Sequence, residues 1–85
     1  MRYIFTLNMP SKGGNPIHQV IGEHPAANLH ELMEAMEGAD FLLVEEYYIE
    51  RDHMGEAGLT PHGFIAINPM IIGKIKEAED RPHRR

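Results

Sequence analysis

Asn28-Leu29-His30-Glu31-Leu32-Met33-Glu34-Ala35-Met36-Glu37-Gly38, with Phe41-Leu42-Leu43-Val44-Glu45-Glu46-Tyr47-Tyr48-Ile49 close behind it, decides the fold class. In the first stretch Leu29, Leu32, Met33 and Met36 recur at i, i+3, i+4 and i+7, the spacing of one apolar stripe on a helix. Asn28 is placed to cap that helix, and Glu31 completes an N-x-x-E form of the capping box. Gly38 stands where a left-handed residue ends a helix, and Pro25 lies before the cap. The spacing predicts a helix over about 28–37. A helix of this length does not hold alone in water, so its stripe must be buried on something. The second stretch supplies that partner. Residues 41–44 are apolar on both faces, as in a central strand covered on both sides. Residues 45–50 mix Glu, Tyr and Ile, as in a projecting or edge portion, so a strand is expected over 40–51.

Working outward, residues 2–9 alternate, with Tyr3, Phe5, Leu7 and Met9 on one face. Residues 10–16 are dense in turn formers, and 17–24 alternate again, which suggests a hairpin. After the central strand, residues 51–62 carry Gly55, Gly58 and Pro61 and read as a long loop, functional or mobile. Residues 64–67 read as a strand, Asn68-Pro69 as a turn, and 72–77 as the last strand. The expected fold is α+β: an antiparallel, curled sheet in the order β-β-α-β-β-β, with one amphipathic helix on one face and a small barrel as a variant. Residues 1–78 would form the single domain, and the charged segment 79–85 would fray.

Composition narrows the function classes. The 85 residues are 42% hydrophobic, enough for a core. Cysteine is absent, which excludes disulfides, zinc fingers and thiol catalysis. No run approaches the ~20 apolar residues of a membrane helix, and the first residues lack the pattern of a signal peptide; a cytoplasmic protein is expected. The net charge of −5 is uneven. Residues 23–50 carry Glu23, Glu31, Glu34, Glu37, Asp40, Glu45, Glu46 and Glu50, with no Lys or Arg. Such an acidic body argues against direct nucleic-acid binding.

Six histidines prompt a test for a metal site. His30 and Glu34 lie at i and i+4 on the helix and could share an ion. His53 and His62 flank the segment 51–62 and could complete a set of four if it folds back. The alternative is that all are solvent-facing histidines, and the expected metal set is none. Lys12-Gly13-Gly14 lacks phosphate-loop spacing and reads as the tip of a hairpin. Glu45 and Glu46 are strand neighbours on opposite faces, so they cannot form one acid–base pair. Ser11, the only serine, has no base beside it. No catalytic residue or cofactor is expected.

Ile65-Ala66-Ile67-Asn68-Pro69-Met70-Ile71-Ile72-Gly73-Lys74-Ile75-Lys76-Glu77 has the form I-x-I-N, a short turn, then I-G-x-I-x-E. It resembles the C-terminal hairpin of small uncharacterised proteins of phages and mobile elements. The resemblance implies a strand, a tight turn and a strand, and carries no functional residues.

The leading expectation is a non-catalytic interaction protein. It would bind a basic protein partner through Glu31, Glu34, Glu37, Glu45, Glu46 and Glu50 with the adjacent Tyr47 and Tyr48, as a phage-type inhibitor or adaptor would. One alternative is a structural or regulatory homodimer joined at a strand edge. Another is a small metal-dependent enzyme or ligand-binding domain using the histidines and carboxylates.

Overall fold

In the first strand, β1 (Arg2–Asn8), alternation settles which side faces the core. Tyr3 and Phe5 are fully buried and Leu7 nearly so, while Arg2, Ile4 and Thr6 turn the other way. The computed structural model describes residues 1–9 and 17–78. The Lys12-Gly13-Gly14 tip and the tail 79–85 lie outside the described residues. β1 pairs antiparallel with β2 (Ile17–Glu23), from Arg2 opposite Glu23 to Asn8 opposite Ile17. Met9 lies past the end of β1 and is exposed.

The helix α1 spans Leu29–Met36. Asn28 Oδ1 accepts from the Glu31 amide at 2.9 Å, as its capping position predicts. Glu31 Oε1 reaches one residue further back than in the usual box, accepting from the Ala27 amide at 3.0 Å. Gly38, at φ 76°, takes the left-handed conformation that ends the helix. Leu32 is fully buried, and Leu29 and Met36 pack against the core. Met33 departs from the expected inner stripe: it is 53% exposed.

β3 (Leu42–Arg51) and β4 (Ala57–Ile67) form the longest hairpin, and β5 (Ile72–Glu77) pairs with β1. The expected long loop over 51–62 is not there. A tight turn at 52–56 closes the hairpin instead. Asp52 Oδ1 accepts from the amides of Met54 and Glu56, Gly55 has φ 85°, and Arg51 Nη1 donates to the Gly55 carbonyl. Gly58, Pro61 and Gly63 belong to β4, which is an edge strand. At an edge, a missing proline N–H need not break the ladder. Gly63, at φ 95°, sits where the β3–β4 register shifts by one residue.

All five strands form one antiparallel sheet in the order β4-β3-β2-β1-β5. The sheet is not strongly curled, and the barrel variant is not adopted. Closure would require β4 to pair with β5, but the chain leaves the sheet between them, through a 3-10 turn at Pro69–Ile71 capped by Asn68. The core joins Tyr3, Phe5, Leu7, Val20, Ala26, Leu32, Leu42, Val44 and Ile67 on the helix side. The expectation that residues 41–44 are covered on both faces is also overturned. Leu42 and Val44 are buried, whereas Phe41 and Leu43 are 62% and 61% exposed. The single helix covers one face, and nothing among the described residues covers the other.

Candidate functional site

Glu77, at the end of β5, decides where the helix sits. Its Oε2 accepts from the Leu29 amide at 2.7 Å, so a carboxylate holds an otherwise unpaired donor at the helix N-terminus. The helix is thereby fixed alongside β5, 48 residues away in the chain. Met33 and Met36 then face Pro69 across a furrow. On one side the furrow is a cleft of about 440 Å³ lined by His30, Met33, Glu34, Met36, Glu37 and Pro69. On the other side it continues as a cleft of about 340 Å³ over Ile72, Gly73, Lys74 and Ile75, sharing Met33, Met36 and Pro69. Met70, 90% exposed, follows Pro69 in the adjacent turn.

This groove has an apolar floor; Glu34 and Glu37 stand at the rim of its His30 end, and Lys74 lines its continuation over β5. Glu34 Oε2 lies 3.3 Å from His30 Nε2, an i, i+4 pair on the exposed helix surface. Glu31, Glu34 and Glu37 are all exposed. Methionine side chains are flexible and polarisable, so a floor built from them can adapt to its occupant.

The remaining expected contact residues divide between the two faces of the sheet. Glu46 lies opposite Gly22, which lies opposite Tyr3, so Glu46 is on the helix side. By alternation Tyr48 and Glu50 share that side. Tyr48 stacks on His62 with ring centroids 4.0 Å apart, and His62 Nε2 meets Glu50 Oε2 at 3.0 Å. The hydrogen bond from His62, then one from Thr60, holds the Glu50 carboxyl below its ordinary range. Glu45 and Tyr47 are on the opposite face, in register with Glu23 and Ile21. There the Arg2 guanidinium lies 4.7 Å from the centre of the Tyr47 ring. The two tyrosines therefore do not form one surface.

The four histidine and carboxylate candidates are not gathered. His30 and Glu34 meet on the helix, His62 meets Glu50 on the hairpin, and His53 is exposed in the turn at 52–56. Among the described residues no group of three or more such side chains could hold a metal ion. His24 has a structural use: its Nδ1 accepts from the Ala26 amide at 2.9 Å. No helix among the described residues is long and apolar enough to cross a membrane.

Reading the sequence missed the groove because it assigned Met33 to the core. The available signal was Met70 and Pro69 beside an amphipathic helix with a four-residue stripe, too wide for eight residues to bury entirely. The chain matches no family model, no curated protein and no solved structure.

Proposed function

We propose that this chain is a non-catalytic interaction protein that takes a basic, amphipathic segment of a partner protein into the groove beside α1. The carrying observation is the exposed Met33, set with Met36 and Pro69 between His30, Glu34 and Glu37. A contiguous apolar patch of Met33, Met36 and Pro69 beside the helix suits an interface. The glutamates at its rim favour a cationic partner and disfavour an anionic one. Apolar side chains of the partner would fill the methionine floor, and its Lys or Arg would meet Glu34 and Glu37. An adaptor or inhibitor works in this manner, by occupying a basic surface.

The test uses two synthetic amphipathic peptides of equal length, one with a Leu/Lys pattern and one with a Leu/Glu pattern, titrated by calorimetry. The Leu/Lys peptide should bind and weaken as salt rises, while the Leu/Glu peptide should not bind. Glu34→Lys with Glu37→Lys should weaken binding about tenfold, the equivalent of roughly 1.4 kcal/mol. Binding that ignores salt and both reversals would overturn the proposal.

A further inference from the structure

β2 and β3 are neighbours in the sheet, yet they pair only from Glu23 opposite Glu45 to Ile21 opposite Tyr47. Both strands run on past that point. Val20, Gln19 and His18 stay paired to β1, opposite Phe5, Thr6 and Leu7. Tyr48, Ile49 and Glu50 stay paired to β4, opposite Thr60, Leu59 and Gly58. No ladder pair among the described residues joins these two sets. The sheet is therefore forked. A cleft of about 400 Å³ lies between the prongs, with His18, Gln19 and Val20 on one wall and Tyr47, Tyr48 and Ile49 on the other. The bulge in β4 accounts for the fork. Between Glu45 and Tyr47 the partner strand carries one extra residue, which bends and twists the β3–β4 hairpin at the level where pairing to β2 ends.

The geometry points to this fork as a docking site for an extended segment of a partner protein, which adds as a strand to the inner edge of β3. Each prong is held on its outer side, so the inner edges at 18–20 and 48–50 keep backbone donors and acceptors for an incoming strand. Antiparallel pairing to β3 is the stronger arrangement, and it sets the segment parallel to β2. The outer edges of the sheet are blunted, β4 by Pro61 and its bulge, β5 by Lys74 and Lys76. The inner edges at 18–20 and 48–50 carry neither proline nor lysine.

The two sides of the fork set the chemistry of that segment. Glu46 is on the helix side, and Tyr48 and Glu50 follow it by alternation. No Lys or Arg occurs between Ile17 and Glu50. The Arg2 guanidinium lies over the Tyr47 ring, on the opposite side, with its Nε 3.6 Å from Glu23 Oε1. Ile21, Tyr47 and Ile49 share that opposite side, and Ile49 is 64% exposed. A strand alternates its side chains, so the fitting segment alternates too. Its Lys or Arg side chains face Glu46 and Glu50, and its aliphatic side chains face Ile21, Tyr47 and Ile49. His62, stacked on Tyr48 and hydrogen-bonded to Glu50, holds that carboxylate in place. The fork shares no lining residue with the groove beside α1, so the two sites are separable.

NMR titration of the full chain with capped synthetic hexapeptides tests the inference. An alternating Lys/Val peptide should bind, shift the amides of 18–20 and 47–50, and slow their hydrogen exchange. An alternating Glu/Val peptide should not bind. The Lys/Val peptide N-methylated at every residue keeps its charge and side chains but has no amide donor, and it should lose binding. Glu46→Gln with Glu50→Gln should weaken the Lys/Val peptide about tenfold. Glu34→Lys with Glu37→Lys, at the groove beside α1, should leave its binding unchanged. The shift and exchange maps use the unaltered chain and so do not depend on a variant folding. Absence of binding by the Lys/Val peptide would overturn the inference. So would equal binding of the N-methylated peptide, or shifts confined to 29–37 and 69–75.

Discussion

Gly22 and Val44 approach so closely that a methyl group on Gly22 would lie 2.8 Å from Val44 Cγ2. It would also stand 3.2 Å from Phe5 Cε1. β2 and β3 pair over only three residues, and this one contains the contact between β3 and the β1 core. Gly22→Ala gains a little by restricting the unfolded chain, about 0.4–1 kcal/mol. Overpacking outweighs it, at about 1–3 kcal/mol, because Val44 is β-branched and cannot swing aside. Urea denaturation should show net destabilisation, and adding Val44→Ala should relieve part of it. A Gly22→Ala variant as stable as the wild type would mean that β3 does not press on β2 here.

The Tyr3 hydroxyl donates to the Ala26 carbonyl at 2.7 Å inside the core. Tyr3→Phe leaves that carbonyl without its partner, and a loss of about 1–2 kcal/mol is expected in equilibrium unfolding. Burial, then the charges of Glu77, Glu31 and Glu23, push the Tyr3 phenol above its ordinary value. A raised value in the folded state contributes stability in full below the unfolded pKa of about 10, and that contribution is lost as pH rises beyond it. Tyr3→Phe should therefore narrow its deficit against the wild type at alkaline pH. A deficit that is constant with pH would place the phenol in contact with solvent.

His24 behaves in the opposite sense. Burial, then the nearby N-terminal charge, lowers its pKa. A histidine with a depressed folded pKa contributes stability above the unfolded value of about 6.5, and loses it as pH falls below that. Protonation would also end its acceptance of the Ala26 amide hydrogen bond. The melting temperature should fall between about pH 6.5 and 5, and His24→Asn, which keeps an acceptor at this position, should flatten that fall. Equal slopes for the two proteins would remove His24 from the acid response.

The Tyr48–His62–Glu50 cluster orders the projecting half of the β3–β4 hairpin. His62→Ala removes both the ring stack and the main cause of the depressed Glu50 pKa. NMR titration of the Glu50 carboxyl should show its midpoint moving up towards about 4.3. A depressed folded value means that this contribution is present above the ordinary carboxylate range and lost as pH falls through the folded pKa. Amide exchange should rise at residues 48–51 and 58–62 while β1 stays protected. Unchanged exchange would show that the backbone ladder alone holds the hairpin.

Much of the architecture was legible because it rests on short-range physics. Asn28, Glu31 and Gly38 mark the helix ends through hydrogen bonds and a backbone conformation that involve near neighbours only. Alternation in 2–9 identifies the first strand and its inner face, and the order β-β-α-β-β-β is the one expected from the sequence. Charge is additive, so the acidic middle of the chain was visible without any structure.

Other features depend on what lies across space, and local pattern carries no record of that. Residues 41–44 read the same whether a second layer covers them or not, and tertiary structure leaves Phe41 and Leu43 open. Gly58 and Pro61 look like a loop until the position of β4 at an edge makes them tolerable in a strand. Met33 sits on the apolar stripe by period, but an eight-residue helix tethered by Glu77 presents only part of that stripe to the sheet. By itself the sequence determined the elements, their order and the sign of the charge, because those follow from residue chemistry and near neighbours. Only the tertiary structure decided which apolar side chains remain in water, because burial is a property of the whole packing.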